Sequence, residues 1–372
     1  MTDSTDKIII DLTKDLLPHQ IDDTNLIHSS EKDDLIKAID KYITNKNDTS
    51  NNDNSQLDDL RLLDIRHNKF LIDGTRGSGK TTFTRLLIKD LLKDTGKTLL
   101  AWVDPTMIET REHIFFSLIQ SLKTKVEKKI EGSNNWDEKD DKYEQWRNQL
   151  KRLAGGLSLL QRDKDEDKLK HYDALINLDR GTSKAQSGSD LAKDFYELLE
   201  ISAKILGNDY FIIAFDDADM NSQYGWEILE LIRKYLNSPK IITIIAGDLE
   251  LYTSIVKYNL SKQQNNYIED QKLEVSAEEY ILKLFPSKNR IKLSGLQSLS
   301  TNPNVNEIIC LNFDEVPPHI SLGKAFKKLT GYYINSENED CQRIHGERIY
   351  NQSTRRLIEM LKDEKEKLKL TK

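Results

Sequence analysis

The sequence predicts an α/β protein: a parallel sheet with flanking helices, a helical insertion and a C-terminal helical lid. Three observations carry this. Short, wholly apolar runs such as Tyr210–Phe215 (YFIIAF) and Ile241–Ala246 (IITIIA) alternate with helix-period segments, the pattern of strands buried on both faces. A glycine-rich stretch, Gly74-Thr75-Arg76-Gly77-Ser78-Gly79-Lys80-Thr81, sits between one such strand and a helix. A later strand ends in two adjacent aspartates, Asp216 and Asp217.

Taken in order, residues 1–60 read as an acidic N-terminal arm with a polar linker. Ile8–Leu12 predicts a short strand, and Leu35, Ile36, Ile39 and Ile43 recur at helical spacing. Asn45–Gln56 is polar and turn-rich, so the segment as a whole is expected to be a mobile surface arm. A core over 61–300 begins with Lys69–Asp73 (KFLID) as a strand and Thr81–Lys93 as a helix. Leu99–Asp104 (LLAWVD) is a second strand, and Ile114, Phe115, Leu118, Ile119 and Leu122 line one side of the next helix. Residues 131–190 are charged and irregular, with Trp136 and Trp146 among them. Leu150, Leu153, Leu157 and Leu160 predict one amphipathic helix there, and Gly181–Asp190 a loop, so the region is expected to be an insertion. Helices follow over Leu191–Leu206, Trp226–Leu236 and Ala277–Leu284, with a last short strand at Arg290–Leu293. A charged helix, Arg355–Leu368, belongs to the lid region, 301–372.

Charge narrows the class. The chain has 372 residues and a formal charge of −7. Residues 1–60 hold 6 Lys/Arg against 14 Asp/Glu, which leaves the remainder nearly neutral. Such a balance gives no help to nucleic-acid binding, although a local basic groove remains compatible with it. No apolar run approaches the roughly 18 residues of a membrane span, and the acidic N-terminus lacks a signal peptide's basic start. Cys310 and Cys341 do not form a disulfide framework, so a reducing cytoplasm is the expected compartment. Seven scattered histidines show no metal spacing. His67 lies just before the first core strand, where a surface role is the simplest reading.

The glycine-rich segment satisfies G-x-x-x-x-G-K-[ST] in its required context. Its glycines let successive N–H groups point inward as a nest for phosphate oxygens, and the following helix adds its N-terminal partial charge. Lys80 supplies an ammonium for terminal phosphates, and the Thr81 hydroxyl is a hard oxygen ligand for Mg²⁺. Thr82 is a further contact candidate. Phe211–Asp219 (FIIAFDDAD) has the form of a Walker B strand. Asp216 is the second metal candidate, and Asp217, in place of the commoner glutamate, the candidate base. Asp219 is read as closing the turn, and Asp104 before Pro105 either as lining the nucleotide site or as an ordinary strand-ending turn.

GTRGSGKTT, IAFDDAD and IITIIAGDLE together resemble the AAA+ and related KAP/STAND branches of P-loop ATPases. Tyr280–Leu293 is similar to their lead into the last core strand, and Gln352–Arg356 (QSTRR) to their lid helix. The resemblance implies an AAA+-like P-loop NTPase sheet, with ATP and Mg²⁺ as cofactors. It implies a polar sensor at Asp248, with mid-strand Thr243 as a weaker rival. It implies a lid arginine at Arg355, with Arg356 as rival, and a finger arginine at Arg290 acting on a neighbouring subunit. The stretch 131–190 departs from a minimal member.

Three functions follow as expectations. The first is an ATPase that couples hydrolysis to assembly or shape change of a homo-oligomer, with an effector protein as partner, in bacterial anti-phage defence. The second is a nucleotide-gated scaffold with little turnover. The third is a DNA-directed, replication-type ATPase, against which the absence of a basic stripe weighs. No effector domain follows the lid, so either a partner supplies the activity or the chain is part of a longer protein.

Overall fold

A computed structural model describes residues 8–11, 26–47, 67–107, 114–132, 137–161, 191–263, 270–295, 309–312, 320–321, 324–325 and 352–363. Its centre is a five-stranded parallel sheet: β2 (Lys69–Asp73), β3 (Lys97–Val103), β4 (Tyr210–Phe215), β5 (Ile241–Gly247) and β6 (Arg290–Lys292), following β1 (Ile8–Asp11) in the chain. The order across the sheet is β3-β4-β5-β2-β6. Every residue of β4 and β5 is buried, which is why their sequences run apolar without alternation.

The chain leaves β2 through α2 (Lys80–Leu91) and crosses to the far edge at β3. It steps back through β4 and β5, then passes β2 to add β6 on the other side. The connections therefore diverge above β2 and β5, at the strands' carboxyl ends, where an open α/β sheet leaves a crevice for a ligand.

Helices cover both faces. On one, α1 (Ser29–Asn47) and α2 pack Leu35, Ile39, Phe83 and Leu87 on Phe70, Ile72, Ala214 and Ile244. On the other lie α3 (Ile114–Glu131), α4 (Asp137–Gln161), α5 (191–206), α6 (Ser222–Tyr235), α7 (Leu249–Gln263) and α8 (Asp270–Leu284). Phe115, Phe195, Ile228, Tyr252 and Ile281 meet Leu71, Phe211, Ile213 and Ile245 there. Neighbouring strand residues thus serve opposite cores, as the pleat requires.

Within the N-terminal segment, residues 26–47 depart from the reading of a mobile arm. The helix predicted from Leu35, Ile36 and Ile39 forms, and Leu35 and Ile39 are fully buried. Lys32 pairs with Asp90 of α2, and Lys97 of β3 with Asp40 at 3.1 Å. Burying the apolar stripe outweighs the segment's acidity. Residues 48–66, which include most of the expected linker Asn45–Gln56, lie outside the described residues. β1 pairs in parallel with β7 (Ile309–Asn312), which pairs antiparallel with β8 (Ile320–Ser321). The lid region therefore carries short strands as well as α9 (Thr354–Asp363).

Within the expected insertion, α4 packs on α5. The Trp146 indole is buried and donates to Ser202 Oγ at 2.9 Å, and Gln149 Nε2 donates to the Asp194 carbonyl at 3.0 Å. Leu153 is buried, whereas Trp136, the side chains of Leu157 and Leu160, and the loop Gly181–Asp190 lie outside the described residues. No helix among the described residues is long and apolar enough to cross a membrane.

Candidate functional site

The glycine-rich loop joins β2 to α2 over the sheet's crevice. Gly74 N–H donates to the Gly247 carbonyl at 3.1 Å, which extends the β2–β5 pairing into the loop. Gly77 and Gly79 adopt φ of +81° and +94°, a region costly for L side chains. These two left-handed residues turn the chain into α2, with Gly79 as its N-cap. Thr75 and Arg76 stand exposed at the loop's outer edge. Ser78 is buried, and its Oγ has no partner. Lys80 is 6% exposed, and its ammonium folds back onto the Gly74 and Thr75 carbonyls at 2.7 and 3.3 Å. Thr82 is half-buried in the first turn of α2.

Beside the loop, β4 delivers Asp216, 3% exposed, whose N–H donates to the Val103 carbonyl at 2.9 Å. The Thr81 hydroxyl donates to its carboxylate, while its Oδ1 is buried without a partner. Burial pushes the Asp216 carboxyl up to about 6, and the charges of Asp217 and Asp104 add to this against the Thr81 bond. Asp217 is half-exposed at φ +49°, the non-glycine residue with positive φ among those described. A side chain held there carries strain, a property that concentrates at functional sites.

Three carboxylates hold the start of α7. Asp219 Oδ2 accepts Asp248 N–H at 2.7 Å, Asp73 Oδ1 accepts Leu249 N–H at 2.9 Å, and Asp248 Oδ1 accepts Glu250 N–H at 2.9 Å. These amides are otherwise the unsatisfied donors of a helix N-terminus. The junction ties the residue before the phosphate loop, the turn after β4 and the end of β5 into one unit. Burial raises the Asp219 carboxyl, opposed by the Asp248 amide and the charge of Lys80. Asp73 was not singled out from the sequence. The only signal was its place directly before Gly74.

The lid helix meets the loop directly. Arg355 N–H donates to the Gly77 carbonyl at 3.2 Å, and the Ser353 side chain packs against Gly77. The Arg355 and Arg356 side chains are exposed beside the loop, with Arg356 N–H on Ser353 Oγ at 3.4 Å. The remaining candidates sit elsewhere. Thr243 is fully buried opposite Lys69, at the start of β2 and away from the loop. His67 is exposed at that same end of β2. Asp104 Oδ1 closes its turn on Thr106 N–H at 2.9 Å, yet its charge reaches Asp216. Arg290 opens β6 opposite Leu71, half-buried, with Nε donating to the Phe285 carbonyl and Nη2 buried without a partner. Burial lowers its guanidinium, with the charge of Asp73 opposing.

The site fits a magnesium nucleotide. A lysine satisfied by the loop's own carbonyls, and buried oxygens of Ser78 and Asp216 without partners, are groups that an incoming polyphosphate and cation would satisfy. The chain has no match among curated proteins. The model of the KAP family P-loop domain matches residues 66–301, well over half of the sequence and every strand of the five-stranded sheet. Phosphate loop, parallel sheet and family match agree: the chain belongs to the KAP family of P-loop NTPases.

Proposed function

We propose that this NTPase hydrolyses ATP with Mg²⁺ at the loop Gly74–Thr81 and couples the reaction to assembly or shape change of an oligomer. The observation that carries the reading is the buried Asp216 carboxylate on the Thr81 hydroxyl, beside a Lys80 ammonium that only loop carbonyls hold. Mg²⁺, when bound, neutralises charge on the phosphoryl oxygens and polarises them for displacement. Thr81 and Asp216 are the residues to hold it. Lys80 exchanges two carbonyls for phosphate oxygens. Asp217, half-exposed at the mouth, takes the proton of the attacking water. The Asp248 junction senses the site's occupancy, and Arg355 adds positive charge from the lid. Arg290 acts on a neighbouring copy's nucleotide as a finger.

The test is Mg²⁺–ATP hydrolysis over a wide protein-concentration range, with Lys80→Ala alongside. Specific activity that climbs with concentration and vanishes in Lys80→Ala is expected. Wild-type turnover in Lys80→Ala would overturn the assignment. A second reading, a nucleotide-gated scaffold with slow turnover, draws support from Asp217. An aspartate at φ +49° is both shorter than glutamate and strained. Tight ATP binding without hydrolysis would favour it. The proposed setting, anti-phage defence with an effector partner in the cytoplasm, is tested by phage challenge of cells carrying wild type or Lys80→Ala; equal plaque counts would reject it.

A further inference from the structure

β3 is an edge strand of the five-stranded sheet, with β4 on one side and no strand among the described residues on the other. It is seven residues long, and from Thr98 to Val103 it holds no charged residue and no proline. Natural sheets blunt an exposed edge with such residues, because its unpaired N–H and C=O groups recruit a further strand. One register shift against β4, between Leu99 and Ala101, divides this edge without covering it.

A groove of about 440 Å³ runs between this strand and α3. Four consecutive residues of β3, Leu99, Leu100, Ala101 and Trp102, line it. Neighbours along a strand point to opposite faces of the sheet. What the four share is the backbone edge, so the groove opens on peptide groups as well as on apolar side chains. The Val103 carbonyl turns inward to accept Asp216 N–H at 2.9 Å, which directs the peptide groups of Trp102 outward.

The rims of the groove are basic. Lys125 and Lys128 of α3 line it, and neither has an ion-pair partner among the described residues. On the other face of the sheet, the Arg85 guanidinium of α2 lies 5.9 Å from the centre of the Trp102 ring. No acid is among the residues that line the groove. Acids at the two ends of β3 are engaged, Asp40 and Asp94 on Lys97 at 3.1 and 3.2 Å, and Asp104 on the Thr106 hydroxyl at 2.6 Å.

We propose that this edge is the docking site of a partner protein, which adds an extended acidic segment as a further strand beside β3. Backbone and charge together set the occupant's chemistry. An extended chain satisfies a row of strand N–H and C=O groups, whereas a docked helix bonds its own backbone and leaves them unpaired. Carboxylates on the added segment meet Lys125, Lys128 and Arg85. The effector partner proposed above gains its surface here; this rests on the partner part of that reading and not on hydrolysis.

The test uses the full chain and a synthetic peptide of alternating valine and threonine with paired aspartates at both ends. Fluorescence anisotropy reads binding, and hydrogen exchange at single-amide resolution reads the Trp102 N–H. The acidic peptide is expected to bind and to slow exchange at Trp102. A counterpart ending in lysines is expected to bind about tenfold or more weakly. A counterpart with proline at alternate positions keeps the charge, loses the donors a ladder needs, and is expected not to bind. K125E/K128E is expected to weaken the acidic peptide about tenfold and to favour the lysine-ended one, with ATP turnover unchanged. Milder K125A/K128A, with a melting curve matched to wild type, separates lost contact from lost fold by a smaller weakening. Failure of the acidic peptide to bind wild type that still turns over ATP would remove this surface and leave the nucleotide reading standing. Binding without protection of Trp102, or equal binding of the proline version, would also overturn it, since charge alone would then account for the contact. So would a Trp102 amide already protected without peptide, by this chain itself or, where protection grows with protein concentration, by a second copy.

Discussion

Asp219 accepts the backbone N–H of Asp248 at 2.7 Å, across 29 residues of chain. The bond fastens the turn after β4 to the first turn of α7, and Asp73 fastens the next amide to the phosphate-loop strand. Asp219→Ala leaves a half-buried amide without its acceptor, a loss of about 1–3 kcal/mol. Asp219→Asn keeps an acceptor oxygen and removes the charge near Lys80. Denaturant unfolding is expected to show Asp219→Ala clearly destabilised and Asp219→Asn close to wild type. In turnover assays, Asp219→Ala is expected to slow the reaction more than it weakens nucleotide binding.

Gly77 and Gly79 share a left-handed backbone but not their surroundings. A Cβ on Gly77 would lie 2.8 Å from Ser353 Cβ, whereas nothing lies within 4 Å of one on Gly79. Gly79→Ala carries the backbone penalty alone, about 1–2 kcal/mol. Gly77→Ala carries that penalty and pushes the lid helix off the loop. Melting temperatures are expected to fall further for Gly77→Ala. Ser353→Gly added to each is expected to rescue part of the Gly77→Ala loss and none of the Gly79→Ala loss.

Asp217 at φ +49° predicts opposite responses of stability and activity. Asparagine tolerates the left-handed region better than most residues. Asp217→Asn is expected to melt at or above the wild-type temperature, to bind nucleotide, and to lose hydrolysis. Because the side chain is half-exposed, the substitution leaves no buried group unsatisfied. A variant that melted well below wild type would show that the carboxylate supports the turn rather than the chemistry.

Much of this architecture is legible in the sequence because parallel strands buried on both faces announce themselves. The apolar run Tyr210–Phe215 coincides with β4, and Ile241–Ala246 with all but the last residue of β5. The phosphate loop is legible for a related reason: its function lies in local backbone geometry. Helix α7 is not legible in the sequence because Leu251 and Tyr258, exposed, spoil the stripe made by buried Tyr252, Ile255 and Val256. The docking of α1 was hidden by its acidity, since the sequence does not reveal which surface Leu35 and Ile39 cover. Asp73, Asp219 and Ser353 act on partners far along the chain, and no spacing rule joins them.

The contact between α6 and α8 predicts an acid-sensitive step in stability. Glu230 accepts from Arg233 Nε at 2.8 Å, from Lys234 at 2.6 Å and from the Tyr280 hydroxyl at 2.8 Å, and Trp226 stacks on Tyr280. Burial raises the Glu230 carboxyl, but these three donors outweigh it and hold the group at about 2, below the ordinary 4.5. A carboxyl depressed in the folded state stabilises it fully above the unfolded value. That contribution fades as pH falls from about 4.5 through about 2. Solvent screening of this half-buried cluster limits the contribution to about 1 kcal/mol. Wild type is expected to be more stable than Glu230→Gln above pH 5, by chemical denaturation, with the gap closing in the acid window. A gap that stayed constant down to pH 3 would place the effect in packing rather than in charge.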